Sequence, residues 1–224
     1  MLLSIFKTDS NKFVLVEVFV ISIIVILKYL GLLPFSATPF LFVAGWIFLK
    51  LTKSGWKQIG LKRPTKWSMK KTVIAGLLIA VVYEFLDIYV LEPVTIFITN
   101  QKTDLSKFNN VPSNFFLFAI ILIGIWTLAA FGEEMIYRGY IMNLLAKVFR
   151  NSKYTWAISL IISSLLFGSI HYYEGITGII GVAITGFLLG AAYLYSDKNL
   201  WLPIFIHGFY DTIGLVFLYF GWFK

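Results

Sequence analysis

The sequence predicts an all-α polytopic membrane bundle of about seven transmembrane helices, and three observations carry that prediction. Hydrophobic residues make up 59% of the 224 residues and charged residues 13%, with a mean hydropathy of +0.84, far from the balance of a soluble domain. The apolar residues fall in long runs rather than alternating ten-residue segments, which favours helices over a barrel. The loop after residue 51 concentrates Lys53, Lys57, Lys62, Arg63, Lys66, Lys70 and Lys71 and has no Asp or Glu, as a cytoplasmic loop does under the positive-inside rule.

A helix needs about 20 mostly apolar residues to cross a bilayer, and seven segments are candidates: roughly 13–33, 35–51, 72–96, 115–149, 156–172, 176–195 and 200–222. The second is short, with Pro34 and Pro39 at its start, so it is expected to tilt, re-enter or pair tightly with the first. The short, mildly basic start leads into a full-length apolar run with no small-residue cleavage pattern, and reads as a first span, not a removable signal. Since nearly every stretch is a span or a short connection, residues 1–224 form a single membrane-embedded domain. With the basic loop inside, the N-terminus is cytoplasmic and the loop 97–114 lies outside, where Asp104 partly offsets Lys102 and Lys107. The basic turn 147–153 returns inside, and Lys224 ends outside.

The net charge of +8 belongs with an anionic membrane surface, because its bulk sits in that one loop beside Trp56 and Trp67, which suit the headgroup region. Membrane lipids are therefore expected partners and nucleic acid is not. The absence of cysteine excludes a disulfide framework, an iron–sulfur cluster, a thiolate zinc site and a cysteine nucleophile.

The only two histidines, His171 and His207, fall in apolar segments, as do Glu133, Glu134 and Arg138. Titratable groups are expensive in hydrocarbon and mark function by default. Glu134 and Arg138 are spaced i, i+4 with the acid first, the favourable order for a helical ion pair, so Arg138 is expected to neutralise Glu134. Glu133 points about 100° away and lacks that local partner, which suits a general base acting on water. Phe167 shares a helix face with His171, and His207 shares one with Asp211, a pairing able to orient and charge the imidazole or to hold a metal.

Helix rise constrains how these groups meet. His171 lies about 27 Å from Lys153, and Glu133 about 25 Å from Arg150 if one helix runs unbroken through Gly132 and Gly139. That continuous helix is therefore predicted. His207 comes out only about 12 Å above Asn199, so tilt or a raised start of the last helix must supply the rest. Of the other acids, Glu84 and Asp87 are expected to face the same cavity or to pair with Lys28, whereas Glu17 and Glu92 are expected to snorkel to the interface. Tyr137, Tyr172, Tyr173 and Tyr210 are read as packing residues.

The stretches Phe131-Gly132-Glu133-Glu134-Met135-Ile136-Tyr137-Arg138-Gly139, Phe167-Gly168-Ser169-Ile170-His171 and His207-Gly208-Phe209-Tyr210-Asp211 resemble, in this order, the three motifs of the CAAX-protease and bacteriocin-processing (CPBP, or Abi) intramembrane proteases. The motif-bearing part is about 115–222. The loop around Ile59-Gly60-Leu61-Lys62 is a softer match to a segment of that family. The resemblance implies peptide-bond hydrolysis at the membrane: Glu133 activates water, His171 assists proton transfer or positions the water, and His207 with Asp211 stabilises the oxyanion. Glu134, Arg138 and Phe167 would support the site. The family usually has Asn where this chain has Asp211, and an ionised Asp accepts hydrogen bonds only. Either Asp211 is protonated, or it orients a cationic His207 that alone donates, or a metal uses it.

No cofactor is favoured; zinc on His171, His207 and Asp211 is the alternative, though the chain has no His-Glu-x-x-His helix. Two other function classes compete with the protease: a non-catalytic bacteriocin-immunity or scaffold protein that binds a peptide or membrane partner, and an ion-coupled transporter using the same groups as a relay. The composition looks bacterial, which makes a small peptide precursor a better expected substrate than a prenylated tail. The sequence leaves oligomeric state and cut site open.

Overall fold

In the computed structural model, residues 11–34, 36–150 and 152–222 are described. They form seven helical runs and no strand: α1 (Asn11–Tyr29), α2 (Thr38–Leu51), α3 (Met69–Thr99), α4 (Phe115–Val148), α5 (Thr155–Ser169), α6 (Gly175–Tyr195) and α7 (Trp201–Tyr219). The basic lead-in before residue 11 and Lys224, both used in the orientation reading, lie outside the described residues.

The chain is a multi-pass membrane protein, and its helical runs differ in how well length and composition suit a span. Among the described residues four helices are long and apolar enough to cross: α3, α4, the run Tyr172–Tyr195 that contains α6, and α7. α1 has the length, at 19 residues, but carries Lys12, Glu17 and Lys28. α2 has 14 residues and α5 has 15, about 21 and 23 Å at helical rise against a hydrocarbon core of about 30 Å.

α4 is continuous through Gly132 and Gly139, as the depth comparison required. Its middle, however, is wound as π-helix over Ile125–Glu133 and again over Met135–Ile141. Such wide turns are rare and gather at functional sites; the α-helical phase used to separate Glu133 from Glu134 does not hold there. Every residue from 132 to 142 is buried. A helix segment buried all round is a central helix, and five others surround this one: α1 through Glu17 with Tyr140, α2 through Thr38 with Glu133, α5 through Phe167 with Tyr137, α6 through Gly186 with Arg138, and α7 through His207 with Glu134.

Glu17 therefore corrects the sequence reading. It is 1% exposed and accepts a 2.7 Å hydrogen bond from the Tyr140 hydroxyl, so it anchors α1 to α4 instead of snorkelling.

The raised start of α7 comes from the basic loop. Its turn Trp56–Leu61 folds back under the bundle: Ile59 is buried, Trp56 stacks on Phe42 at 5.2 Å, and the Leu200 amide donates to the Gly60 carbonyl at 3.0 Å. Gly60 has φ +112°, and a Cβ there would lie 2.5 Å from the Lys198 carbonyl oxygen, so only glycine fits. A Cβ at Gly139 would meet both Ile59 and Leu200. The start of α7 is thus level with Gly139. His207 lies seven residues on from Leu200 and Glu134 five back from Gly139, about 10 and 8 Å, and the two meet.

Candidate active site

Glu134 is the centre of the polar cluster. It is fully buried, and its Oε1 accepts from Arg138 Nη1 at 2.8 Å and lies 2.9 Å from His207 Nδ1. Arg138, 1% exposed, also donates through Nη2 to the Gly186 carbonyl at 3.0 Å. The other nitrogen of His207, Nε2, lies 3.3 Å from Asp211 Oδ2. A carboxyl group stands opposite each ring nitrogen; where both acids are ionised they accept only, both nitrogens carry hydrogen and His207 is an imidazolium.

Phe167 packs this cluster. Its ring lies under the Arg138 guanidinium at 4.4 Å, edge-on to Tyr137 at 5.0 Å and to His171 at 5.1 Å, and 6.0 Å from His207. It keeps water from the Glu134–Arg138 pair, whose attraction grows as the local dielectric falls.

His171 sits in the turn just past α5, not inside the helix as the sequence suggested; Ile170 is the capping residue. Its Nδ1 is 2.9 Å from the Phe167 carbonyl. A carbonyl can only accept, so Nδ1 carries a proton, and in the neutral ring Nε2 is then the nitrogen that keeps its lone pair. His171 is within electrostatic reach of His207, Asp211 and Arg138.

Glu133 borders the cluster without joining its ion pairs. It is within electrostatic reach of His207, Asp211, Glu134 and Arg138, and among the described residues no hydrogen bond links it to either histidine. Its partner, missing from the sequence reading, is Thr38 at the start of α2, whose hydroxyl donates to Oε1 at 3.2 Å. Ser36 Oγ is 2.8 Å from Thr38 Oγ1 and accepts from the Thr38 amide at 3.1 Å. Thr38 has one hydroxyl hydrogen and spends it on Glu133, so Ser36 is the donor between the two hydroxyls. Nothing in the sequence marks an ordinary threonine 95 residues away before a proline.

Glu84 and Asp87 face α7. Asp87 accepts from the Tyr210 hydroxyl at 2.7 Å, and Glu84 is within electrostatic reach of Asp87 and Asp211. Tyr210 thus does more than pack.

Both His207 nitrogens face carboxylates, and among the described residues no group of three or more His, Asp or Glu is set to hold a metal ion.

Residues 114–213 match the family model described as Type II CAAX prenyl endopeptidase Rce1-like. That segment is similar to the CAAX proteases. It contains every residue from Glu133 to Asp211 discussed above, whereas Thr38, Glu84 and Asp87 lie before it. The chain is also similar to a protein of Escherichia coli described as an uncharacterized 24.3 kDa protein, with 34% identity over 101 residues, 44% of this chain and 44% of that protein. The match thus spans less than half of either chain. No solved structure matches. Within the matched segment, Gly208 allows a close approach beside His207: a Cβ there would lie 2.6 Å from the Trp126 ring, which packs on α7 and donates through Nε1 to Thr212 at 3.2 Å.

Proposed function

We propose that the chain is an intramembrane endopeptidase that hydrolyses a peptide bond by glutamate-activated attack of water, without a metal. The observation that carries this reading is that Glu133 has one carboxylate oxygen engaged by Thr38 and stands beside, but outside, the Glu134–Arg138–His207–Asp211 network. Glu133 takes a proton from water as the water oxygen attacks the carbonyl carbon, and that proton passes to the leaving amine. The His207 cation supplies the positive charge that an oxyanion needs in a dry site. Its Nε2–H, held loosely at 3.3 Å by Asp211, is the donor able to turn to the oxyanion. Glu134 and Arg138 fix His207 in place. His171, with Nε2 unprotonated, positions the water or carries the proton. Seven helices crossing with a cytoplasmic N-terminus, and a small membrane-associated peptide as substrate, complete the reading.

The test compares wild type with Glu133→Ala on lipid-tagged fluorogenic peptides in detergent, with and without chelator. Cleavage lost in the variant and kept with chelator is expected. Loss with chelator and rescue by zinc would replace the glutamate mechanism with a metal one. Full biological activity of Glu133→Ala in cells would replace catalysis with a binding role.

A further inference from the structure

The face of α7 that carries the candidate site continues past it. His207, Tyr210, Asp211 and Gly214 are spaced i, i+3, i+4, i+7 and form one stripe, and α3 lies along it. Opposite the stripe α3 presents Tyr83, Glu84 and Asp87: the Tyr83 and Tyr210 rings are 5.2 Å apart, Tyr210 donates to Asp87 at 2.7 Å, and a Cβ at Gly214 would be 3.9 Å from Glu84 Oε1.

Glu84 is the exceptional member. It is 5% exposed and makes no hydrogen bond to a described residue, yet its carboxylate oxygens are not among the fully enclosed polar atoms, so they reach the surface of the packed stripe. A carboxylate in that position lacks the hydrogen bonds such groups normally have. Its neighbours deepen the deficit, because the groups within electrostatic reach of it are Asp87, Asp211 and Glu92. Among the described residues of the site, the acids Glu84, Asp87, Glu133, Glu134 and Asp211 outnumber the basic groups Arg138 and His207, and both of those are already engaged by Glu134 and Asp211. Asp211, 26% exposed at its side chain, joins the acidic face to the reacting groups. Since no three of the acidic and imidazole groups described converge on a metal position, the face suits a larger organic cation with several hydrogens to donate.

We propose that Glu84, with Asp87 and Asp211, binds a lysine or arginine side chain of the peptide beside the bond that Glu133 hydrolyses, so that the substrate is a cationic peptide. This rests on the endopeptidase reading and adds the substrate class. It also gives Asp211 a reason to be acidic: the same carboxylate that holds His207 helps to receive the substrate's charge.

The test measures binding, so that it does not depend on turnover. The full chain in detergent, carrying Glu133→Gln, is titrated with fluorescent lipid-tagged hexapeptides in which one lysine is walked along the sequence, each paired with its norleucine twin. At one position lysine is expected to bind about tenfold or more tighter, the scale of a hydrogen bond to a charged group. Adding Glu84→Gln or Asp211→Asn should bring the ratio to within about twofold, and two near-isosteric variants guard against one that misfolds. Equal affinities at every position, binding of no peptide, or a lysine preference that survives both variants would overturn the proposal. So would displacement of the lysine peptide by phosphatidylethanolamine as readily as by unlabelled peptide, which would assign the face to a lipid headgroup. Wild-type cleavage of the same peptides is followed in parallel: lysine-dependent binding without cleavage would retire the endopeptidase reading and leave the cation site standing, and cleavage without lysine preference would do the reverse.

Discussion

His207 Nδ1 lies 2.9 Å from Glu134 Oε1, the same oxygen that receives Arg138 at 2.8 Å. One buried carboxylate oxygen thus ties Arg138 of its own helix to His207 of α7, and the two are held together only while that oxygen is there to bridge them.

Glu134→Gln should therefore destabilise the fold by about 3–5 kcal/mol, the usual cost of removing one partner from a buried ionic group. Replacing Glu134 and Arg138 together by Met should cost less than Glu134→Gln alone, because the unpaired guanidinium goes with it. Thermal unfolding in detergent checks both, and a Glu134→Gln protein that melts within about 1 kcal/mol of wild type would show that the bridge is dispensable.

Thr38 acts through Glu133 and is a positioning residue. Its hydroxyl occupies Oε1 and, in the proposed mechanism, leaves Oε2 for the attacking water. Thr38→Val keeps the shape and loses the donor, and kcat should fall about tenfold or more, with KM within about twofold. Thr38→Ser should restore most of the rate. An infrared band identified by its loss in Glu133→Gln should shift in Thr38→Val and return in Thr38→Ser. If valine and serine impair the enzyme equally, the residue serves packing alone.

Gly208→Ala would drive a Cβ to 2.6 Å from the Trp126 ring and strain the bond from that ring to Thr212. Overpacking of this kind costs about 1–3 kcal/mol, and because Gly208 follows His207 the rate should fall as well. Trp126→Leu should make Gly208→Ala less harmful, a coupling that a double-mutant cycle measures. Strict additivity of the two changes would place the damage elsewhere.

The sequence by itself determined the class and the cast. Composition made the chain a helical membrane bundle, the scarcity of intramembrane charge singled out Glu133, Glu134, Arg138, His171, His207 and Asp211, and the i, i+4 spacings announced the pairs Glu134–Arg138 and His207–Asp211, because neighbours on one helix follow from covalent spacing and helical period. Helix rise even required α4 to run unbroken through its two glycines. Tertiary structure decided what spacing cannot reach. Which ring nitrogen of His207 meets which carboxylate, the seat of Thr38 on Glu133, the burial of Glu17 on Tyr140 and the approach of Glu84 to α7 all join residues far apart in the chain, and depend on how helices are packed and rotated. The π winding around Glu133 and the lift that the Gly60 turn gives to α7 belong there too. Both are local departures from regular geometry that appear only once neighbouring helices press on the chain.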